Sequence, residues 1–195
     1  MRIILARHGE TAWNAEGRLQ GHLDIPLAET GIQQGQALGR RLEGVGLDRA
    51  VASPLSRARQ TAELALGGRP LTLELHDGLR ELNHGLWEGL RVHEVAERFP
   101  ATSRAWRETP HEARPDGGES LQEVQDRAWP VLEAVTAGLG REETLLVVTH
   151  DVVVRVVLAR ILGLPHARIW TFRLAATGLS LLEGEALDPL PALRA

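Results

Sequence analysis

Short apolar runs rich in β-branched residues recur along the chain, and the clearest ones stop abruptly at charged or hydrogen-bonding side chains. They cover Arg2 to Ala6, Arg49 to Ala52, Leu71 to Leu75 and Thr144 to Thr149, with weaker runs at Trp170 to Leu174 and Gly178 to Glu183. Runs this short and this apolar read as strands covered on both faces. Between them lie helical stripes. Leu38, Leu42 and Val45 follow one face, and Leu55, Ala58, Ala62, Ala65 and Leu66 follow another, behind Ser53 as N-cap and Pro54 in the first helical position. Ser120 and Glu123 have capping-box spacing ahead of a stripe through Leu121, Val124, Ala128, Val131, Leu132 and Val135, where Pro130 predicts a kink or break. From Asp151 to Leu162 the residues are apolar almost all round, as in a helix buried within a domain.

Strands alternating with helices predict an α/β fold, a three-layer α/β/α sandwich around a mostly parallel sheet. In such sheets ligands gather outside the carboxyl ends of the strands. The first run delivers Arg7 and His8 to that edge, the second Ser53 and Arg57, the third Glu81 and the fourth His150 and Asp151. The segment 84–118 is less regular and richer in Trp, Pro, Arg and Glu. It is expected to form a helical, lid-like insertion over this edge, within a single domain spanning 1–195.

Composition narrows the chemistry. There is no Cys, and all 22 basic residues are Arg, so thiol nucleophiles, Cys-ligated zinc, lysine Schiff bases and lysine phosphate loops drop out. A net charge of -4 disfavours a broad nucleic-acid surface, although it leaves room for a small basic pocket. The longest apolar region, LLVVTHDVVVRVVLARILGL, is broken by His150, Asp151, Arg155 and Arg160 and reads as strand plus buried helix rather than a membrane span. Without Cys and without a signal-peptide pattern at the N-terminus, the expected location is the cytoplasm. His22 with Asp24 and His76 with Asp77 lack the spacing of a metal site, and no cofactor is expected. The five Trp residues read as packing groups.

The polar edge suits phosphoryl transfer, which needs donors for three charged oxygens, a nucleophile and an acid for the leaving oxygen. Arg7 and Arg57 can fork onto phosphate oxygens, each charge at ~4 Å contributing on the order of 4 kcal/mol before desolvation. His8, beside those cations, is disfavoured as imidazolium and so keeps a nitrogen lone pair for attack. Asn14 and His150 can donate further hydrogen bonds, and Glu81 is the candidate proton donor. Taken singly, each arginine reads as a surface ion pair, each histidine as a core histidine and Glu81 as a solvated carboxylate; only their convergence on one edge favours a site.

Four stretches in order carry a family resemblance: ARHGETAWN at 6–14, ASPLSRARQTA at 52–62, ELNHGLWEG at 81–89 and VVTH at 147–150, with GGESLQEVQDR at 117–127 as a further match. They resemble the motifs of the histidine phosphatase, or cofactor-dependent phosphoglycerate mutase-like, superfamily, and NHGLWEG at 83–89 is more similar to its phosphatase members, with sugar phosphates, phosphoglycerate derivatives and alpha-ribazole phosphate all open as substrates. The resemblance implies His8 as a phosphorylated nucleophile, Glu81 as general acid then base, and a phosphate pocket of Arg7, Asn14, Arg57 and His150. Gln20 and Gly21 fall where family members line that pocket. Two positions depart from the pattern. Asp151 stands where a small residue is common; it would disturb the phosphate field, point away with only its amide facing the site, or act as a proton donor like the Asp of the acid phosphatase branch. His84 replaces an aromatic residue and is expected to touch substrate. The implied activity is metal-independent hydrolysis of a small phosphorylated metabolite, without nucleic-acid or membrane partners and with homodimers common among relatives. A 2,3-bisphosphoglycerate-dependent mutase and a non-enzymatic phosphate-binding module stand as alternatives, and a metal-dependent hydrolase built on His150 and Asp151 would need more ligands than the sequence offers.

Overall fold

The computed structural model describes residues 1–184, so the end of the expected domain, 185–195, lies outside the described residues. Five strands, β1 (Arg2–Arg7), β2 (Arg49–Ala52), β3 (Leu73–Leu75), β4 (Thr144–Thr149) and β5 (Leu179–Glu183), form one sheet in the order β3-β2-β4-β1-β5. The first four run parallel, and β5 pairs antiparallel with β1. The helices among the described residues are α1 (Ala12–Ala15), α2 (Glu29–Arg41), α3 (Ser56–Leu66), α4 (Val92–Arg98), α5 (Pro100–Glu108), α6 (Leu121–Thr136) and α7 (Asp151–Ile161).

Strand periodicity sorts the core into two halves. Ile3, Leu5, Val51, Leu145 and Val147 point to one side, where they meet buried residues of α6 and α7. Ile4, Ala6, Ala50, Ala52, Leu146 and Val148 point to the other and pack on α2 and α3. The three-layer α/β sandwich follows, because every central strand carries apolar side chains on both faces. Each fully buried Val, Leu or Ile contributes roughly 1.5–3 kcal/mol relative to exposure, which is why α7, buried almost all round, can hold the charged start of its first turn at the sheet edge.

Four local expectations change. Trp170 to Leu174 is not a strand: a 3-10 turn covers His166–Thr171, and the carbonyls that would have paired in a sheet instead accept from arginines, Ile169 and Phe172 from Arg155 and Leu174 from Arg7. The third strand begins at Leu73 rather than Leu71, whose N–H is turned back onto the Arg69 carbonyl. Helix α3 starts at Ser56 rather than behind Ser53; Leu55 holds the cap position without a side-chain bond, and Asp24 from a distant loop accepts from both Ser56 N–H and Ser56 Oγ, at 2.6 and 2.7 Å. Helix α6 has the expected Ser120–Glu123 capping box but runs unbroken through Pro130. Pro130 is exposed, so the Asp126 carbonyl that loses its helical partner faces solvent rather than core.

Within 84–118 the chain forms a 3-10 turn at Gly85–Trp87 and then α4 and α5. Among the described residues no helix is long and apolar enough to cross a membrane.

Candidate functional site

Because β1 to β4 are parallel, their carboxyl ends open on one edge, and a cavity of about 330 Å³ lies there. Arg7, His8, Asn14, Gln20, Gly21, Arg57, Glu81, His84 and Asp151 all line it. His150 sits directly behind, fully buried, its ring centroid 5.1 Å from that of His8 in an edge-on arrangement. The residues expected from sequence are therefore brought together.

His8 follows the last residue of β1 and has its tautomer fixed by the backbone. Its Nδ1 lies 2.6 Å from the Gly9 carbonyl, which can only accept, so Nδ1 carries the proton and Nε2 keeps a free lone pair. Burial, then the charges of Arg57 and Arg7, hold the imidazole well below its usual pKa despite the opposing Gly9 bond. Gly9 itself donates to Thr61 Oγ1 at 3.0 Å, and Thr61 in turn donates to the Arg57 carbonyl at 2.7 Å, which ties the His8 loop to α3. A Cβ on Gly9 would lie 2.6 Å from the Gly31 carbonyl oxygen, so only glycine permits this close passage of the loop against α2.

Arg57 emerges from the first turn of α3, whose start is tied to Asp24. Its terminal nitrogens donate to the carbonyls of Leu23 and Gly21 at 2.9 and 2.8 Å, leaving a buried Nε without a protein partner. Burial lowers its pKa to about 10, so the guanidinium stays charged at neutral pH. Gly21 reaches this position with a φ of 52°, in the left-handed region. Asn14 closes α1 in a capping box: its Oδ1 accepts from Thr11 N–H at 3.0 Å, which leaves its amide NH2 for the cavity.

Glu81 is buried and its carboxyl Oε1 accepts N–H bonds from Leu82 at 2.9 Å and Val152 at 3.2 Å. Burial, and then the charge of Asp151, raise its pKa above the usual carboxylate value, against the Leu82 bond and the charges of Arg57 and Arg7. The loop carrying it is clamped from outside. Arg127 on α6 donates to the carbonyls of Gly78, Arg80 and Glu81, is itself held by the Glu119 carboxylate, and His22 Nε2 donates to the Glu81 carbonyl at 2.8 Å.

Asp151 does not point away from the cavity. Both its oxygens accept from Arg155, one turn along α7, and Arg7 approaches to 3.3 Å. His84 is buried, its Nδ1 has no protein partner, and burial above all holds its pKa at about 4. Its ring stacks near Trp87 and meets Trp106 edge-on at 6.0 Å.

Several residues here escape a reading of the sequence. Ser53 is not a helix cap: it is fully buried, accepts from Leu55 N–H at 3.3 Å and lies 2.7 Å from His150 Nε2. Among the described residues the Ser53 hydroxyl has no acceptor other than Nε2, so its hydrogen is assigned there, which makes His150 an Nδ1–H tautomer whose Nδ1 has no protein partner. Trp106 and Trp170, read as packing groups, form cavity wall and meet edge-on at 5.1 Å. Arg155 and Thr61 each have a partner one helical turn away, Asp151 and the Arg57 carbonyl, but the Ile169 and Phe172 carbonyls and the Gly9 N–H that tie them to the site lie farther along the chain.

A neutral imidazole with an unpaired Nε2 beside two arginines, and a carboxyl of raised pKa at the same sheet edge, form an arrangement suited to phosphoryl transfer. The chain belongs to the histidine phosphatase superfamily, branch 1, whose model matches residues 3–189. It is 37% identical over 172 residues to phosphoserine phosphatase 1 of Hydrogenobacter thermophilus, covering 88% of this chain and 81% of that protein. To the adenosylcobalamin/alpha-ribazole phosphatase of Escherichia coli it is 35% identical over 178 residues, covering 89% and 85%. Among solved structures, Bacillus stearothermophilus YhfR matches with a TM-score of 0.91 at 34% identity, over 98% of this chain and 95% of that one.

Proposed function

We propose that this protein hydrolyses phosphomonoesters of small metabolites through a phosphohistidine. The observation that carries the reading is the His8 imidazole, its proton pinned on Nδ1 by the Gly9 carbonyl and its Nε2 lone pair free beside Arg7 and Arg57. Nε2 attacks phosphorus in line, the ester P–O bond breaks, and Glu81 gives its proton to the departing alkoxide. Water then attacks the phosphohistidine, Glu81 takes the proton back, and phosphate leaves with the imidazole restored. Arg7, Arg57, the Asn14 amide and the Nδ1–H of His150 bind the equatorial oxygens, the two guanidiniums matching the dianion in charge. Gln20, with an unpartnered buried Oε1, and Gly21 complete the pocket wall, and His84 meets the leaving group.

The residues 84–118 act as the wall over the alcohol half of the substrate, with Trp106 of α5 as its contact. Phosphatase names among the relatives favour hydrolysis over mutase chemistry, and phosphoserine and ribazole-type phosphates are the first substrates to try. A cytoplasmic enzyme is the form we expect, with a homodimer as one arrangement to test. The deciding experiment is His8→Ala assayed on a phosphomonoester panel, with acid-labile protein phosphorylation followed in parallel. We expect both turnover and labelling to vanish; unchanged turnover in the variant would refute the scheme.

A further inference from the structure

We propose that Asp151 is a positioning residue, a carboxylate bridge between Arg155 and Arg7 that aims Arg7 at the phosphoryl group and sets a negative charge beside the Glu81 carboxyl. The inference rests on the phosphohistidine reading above and adds to it a residue that the ordinary pattern of this site does not supply.

The bridge is built from one side. Arg155 Nε donates to Asp151 Oδ2 at 2.7 Å and Arg155 NH2 to Oδ1 at 3.2 Å, a two-pronged grip across one turn of α7. Arg155 cannot swing away, because its NH1 donates to the carbonyls of Ile169 and Phe172 and its guanidinium lies 5.3 Å from the Trp170 ring centroid. A carboxylate anchored this firmly presents Oδ1 to Arg7 NH1 at 3.3 Å, while the Leu174 carbonyl holds the same nitrogen at 3.1 Å. Arg7 is thereby fixed from two directions, with a buried Nε still unpartnered for an anion. One carboxylate between two guanidiniums leaves a net positive wall, so Asp151 orients Arg7 without reversing the attraction for phosphate.

The same residue neighbours the acid. Glu81 docks its Oε1 on the N–H of Val152, the residue after Asp151, so the two carboxyl groups share the first turn of α7. Like charge at that separation disfavours ionised Glu81 and supplements its burial. From the other elements, Arg57 on α3 and Arg7 at the end of β1 oppose this by favouring the carboxylate, while His22 and the Arg127–Glu119 pair act on the Glu81 loop through its backbone carbonyl. Asp151 is therefore the negative charge that, second to burial, raises the Glu81 pKa against the two arginines. Both of its own oxygens are taken up as acceptors from the Arg155 guanidinium.

The test is Asp151→Asn, with Asp151→Ser as a second variant, each checked for native circular dichroism. The pH dependence of kcat/KM on an alkyl phosphate and on p-nitrophenyl phosphate is measured, together with inhibition by inorganic phosphate. Removing the carboxylate moves the descending alkaline limb to lower pH by about one unit and, with Arg7 no longer aimed, weakens phosphate inhibition several-fold, while the alkyl phosphate rate below that limb stays within about tenfold of wild type. A loss of about a thousandfold on the alkyl ester alone would make Asp151 the acid and overturn the proposal. So would an unmoved limb with unmoved inhibition. If the wild-type protein turned over no ester at all, the phosphohistidine reading would fail separately. Calorimetric binding of inorganic phosphate would still read the bridge: weaker binding by the Asn variant supports it, and equal or tighter binding refutes it.

Discussion

Ser53→Ala tests whether His150 is held in one tautomer by a neighbour that the sequence disguises as a helix cap. In the wild-type protein the Ser53 hydroxyl donates to His150 Nε2 at 2.7 Å while accepting from Leu55 N–H at 3.3 Å, all of it away from water. Removing Oγ strands a buried imidazole acceptor and a backbone N–H, at a cost of about 1–3 kcal/mol for an unsatisfied buried polar group. The imidazole can answer by moving its proton to Nε2, which turns Nδ1 from a donor into an acceptor facing an anion. Loss of one oriented donor to the transferring phosphoryl group is expected to lower kcat/KM by about 10- to 100-fold, each 1.4 kcal/mol being a factor of ten. Urea denaturation reads the stability change, and steady-state hydrolysis of p-nitrophenyl phosphate reads the catalytic one. A variant that is destabilised but keeps wild-type kcat/KM would show that Ser53 only packs, and the assignment of the His150 tautomer would be wrong.

Two further predictions follow from the titrating groups. His84 is buried with a folded pKa of about 4, below the roughly 6.5 of an unfolded histidine, so the unfolded chain binds the extra proton and stability is lost as pH falls through that window. Between pH 6.5 and 5 this amounts to about 1.5 kcal/mol; His84→Phe should remove that share of the acid sensitivity in urea melts, and an unaltered slope would contradict the burial argument. Glu81→Gln keeps the bonds from Leu82 and Val152 but cannot donate a carboxylic proton. It should cut turnover of alkyl phosphates by about 100- to 10,000-fold and of p-nitrophenyl phosphate far less, in initial-rate assays; equal losses on both would remove Glu81 from the leaving-group step.

The legible parts of this molecule are those specified by local pattern. Four strand runs could be followed to their ends because apolar side chains on both faces leave no polar alternation to confuse them, and the polar residues that follow then fall on one edge by topology alone. His8, Arg57, Glu81 and His150 were within reach for that reason. What escaped depends on partners far along the chain. Trp170 to Leu174 has strand-like content, yet its carbonyls are taken by Arg155 and Arg7, a use that no window of neighbouring residues encodes. Ser53–Pro54 has the composition of a helix start, but Asp24, 32 positions from Ser56, caps α3 instead and frees Ser53 for His150. The stripe through Pro130 reads as a break because sequence alone does not say that the lost bond faces solvent.

The charges of the site follow from the same burial. An imidazole enclosed with two arginines is held well below its usual pKa, so His8 is kept neutral by the groups proposed to bind the dianion. His150 is driven to neutrality by burial and by the same cations, and so needs a neutral hydrogen-bond partner, which Ser53 supplies. The carboxyl of Glu81 responds oppositely to the same burial and its pKa is raised, so one enclosed edge pushes an imidazole away from its second proton and a carboxyl toward holding one. Arginine is the residue able to keep its charge there: Arg57, even lowered to about 10, stays cationic, whereas a lysine at that depth would be open to neutralisation and would weaken the hold on phosphate. A chain whose 22 basic residues are all arginine can therefore place its cations inside the cavity rather than around it.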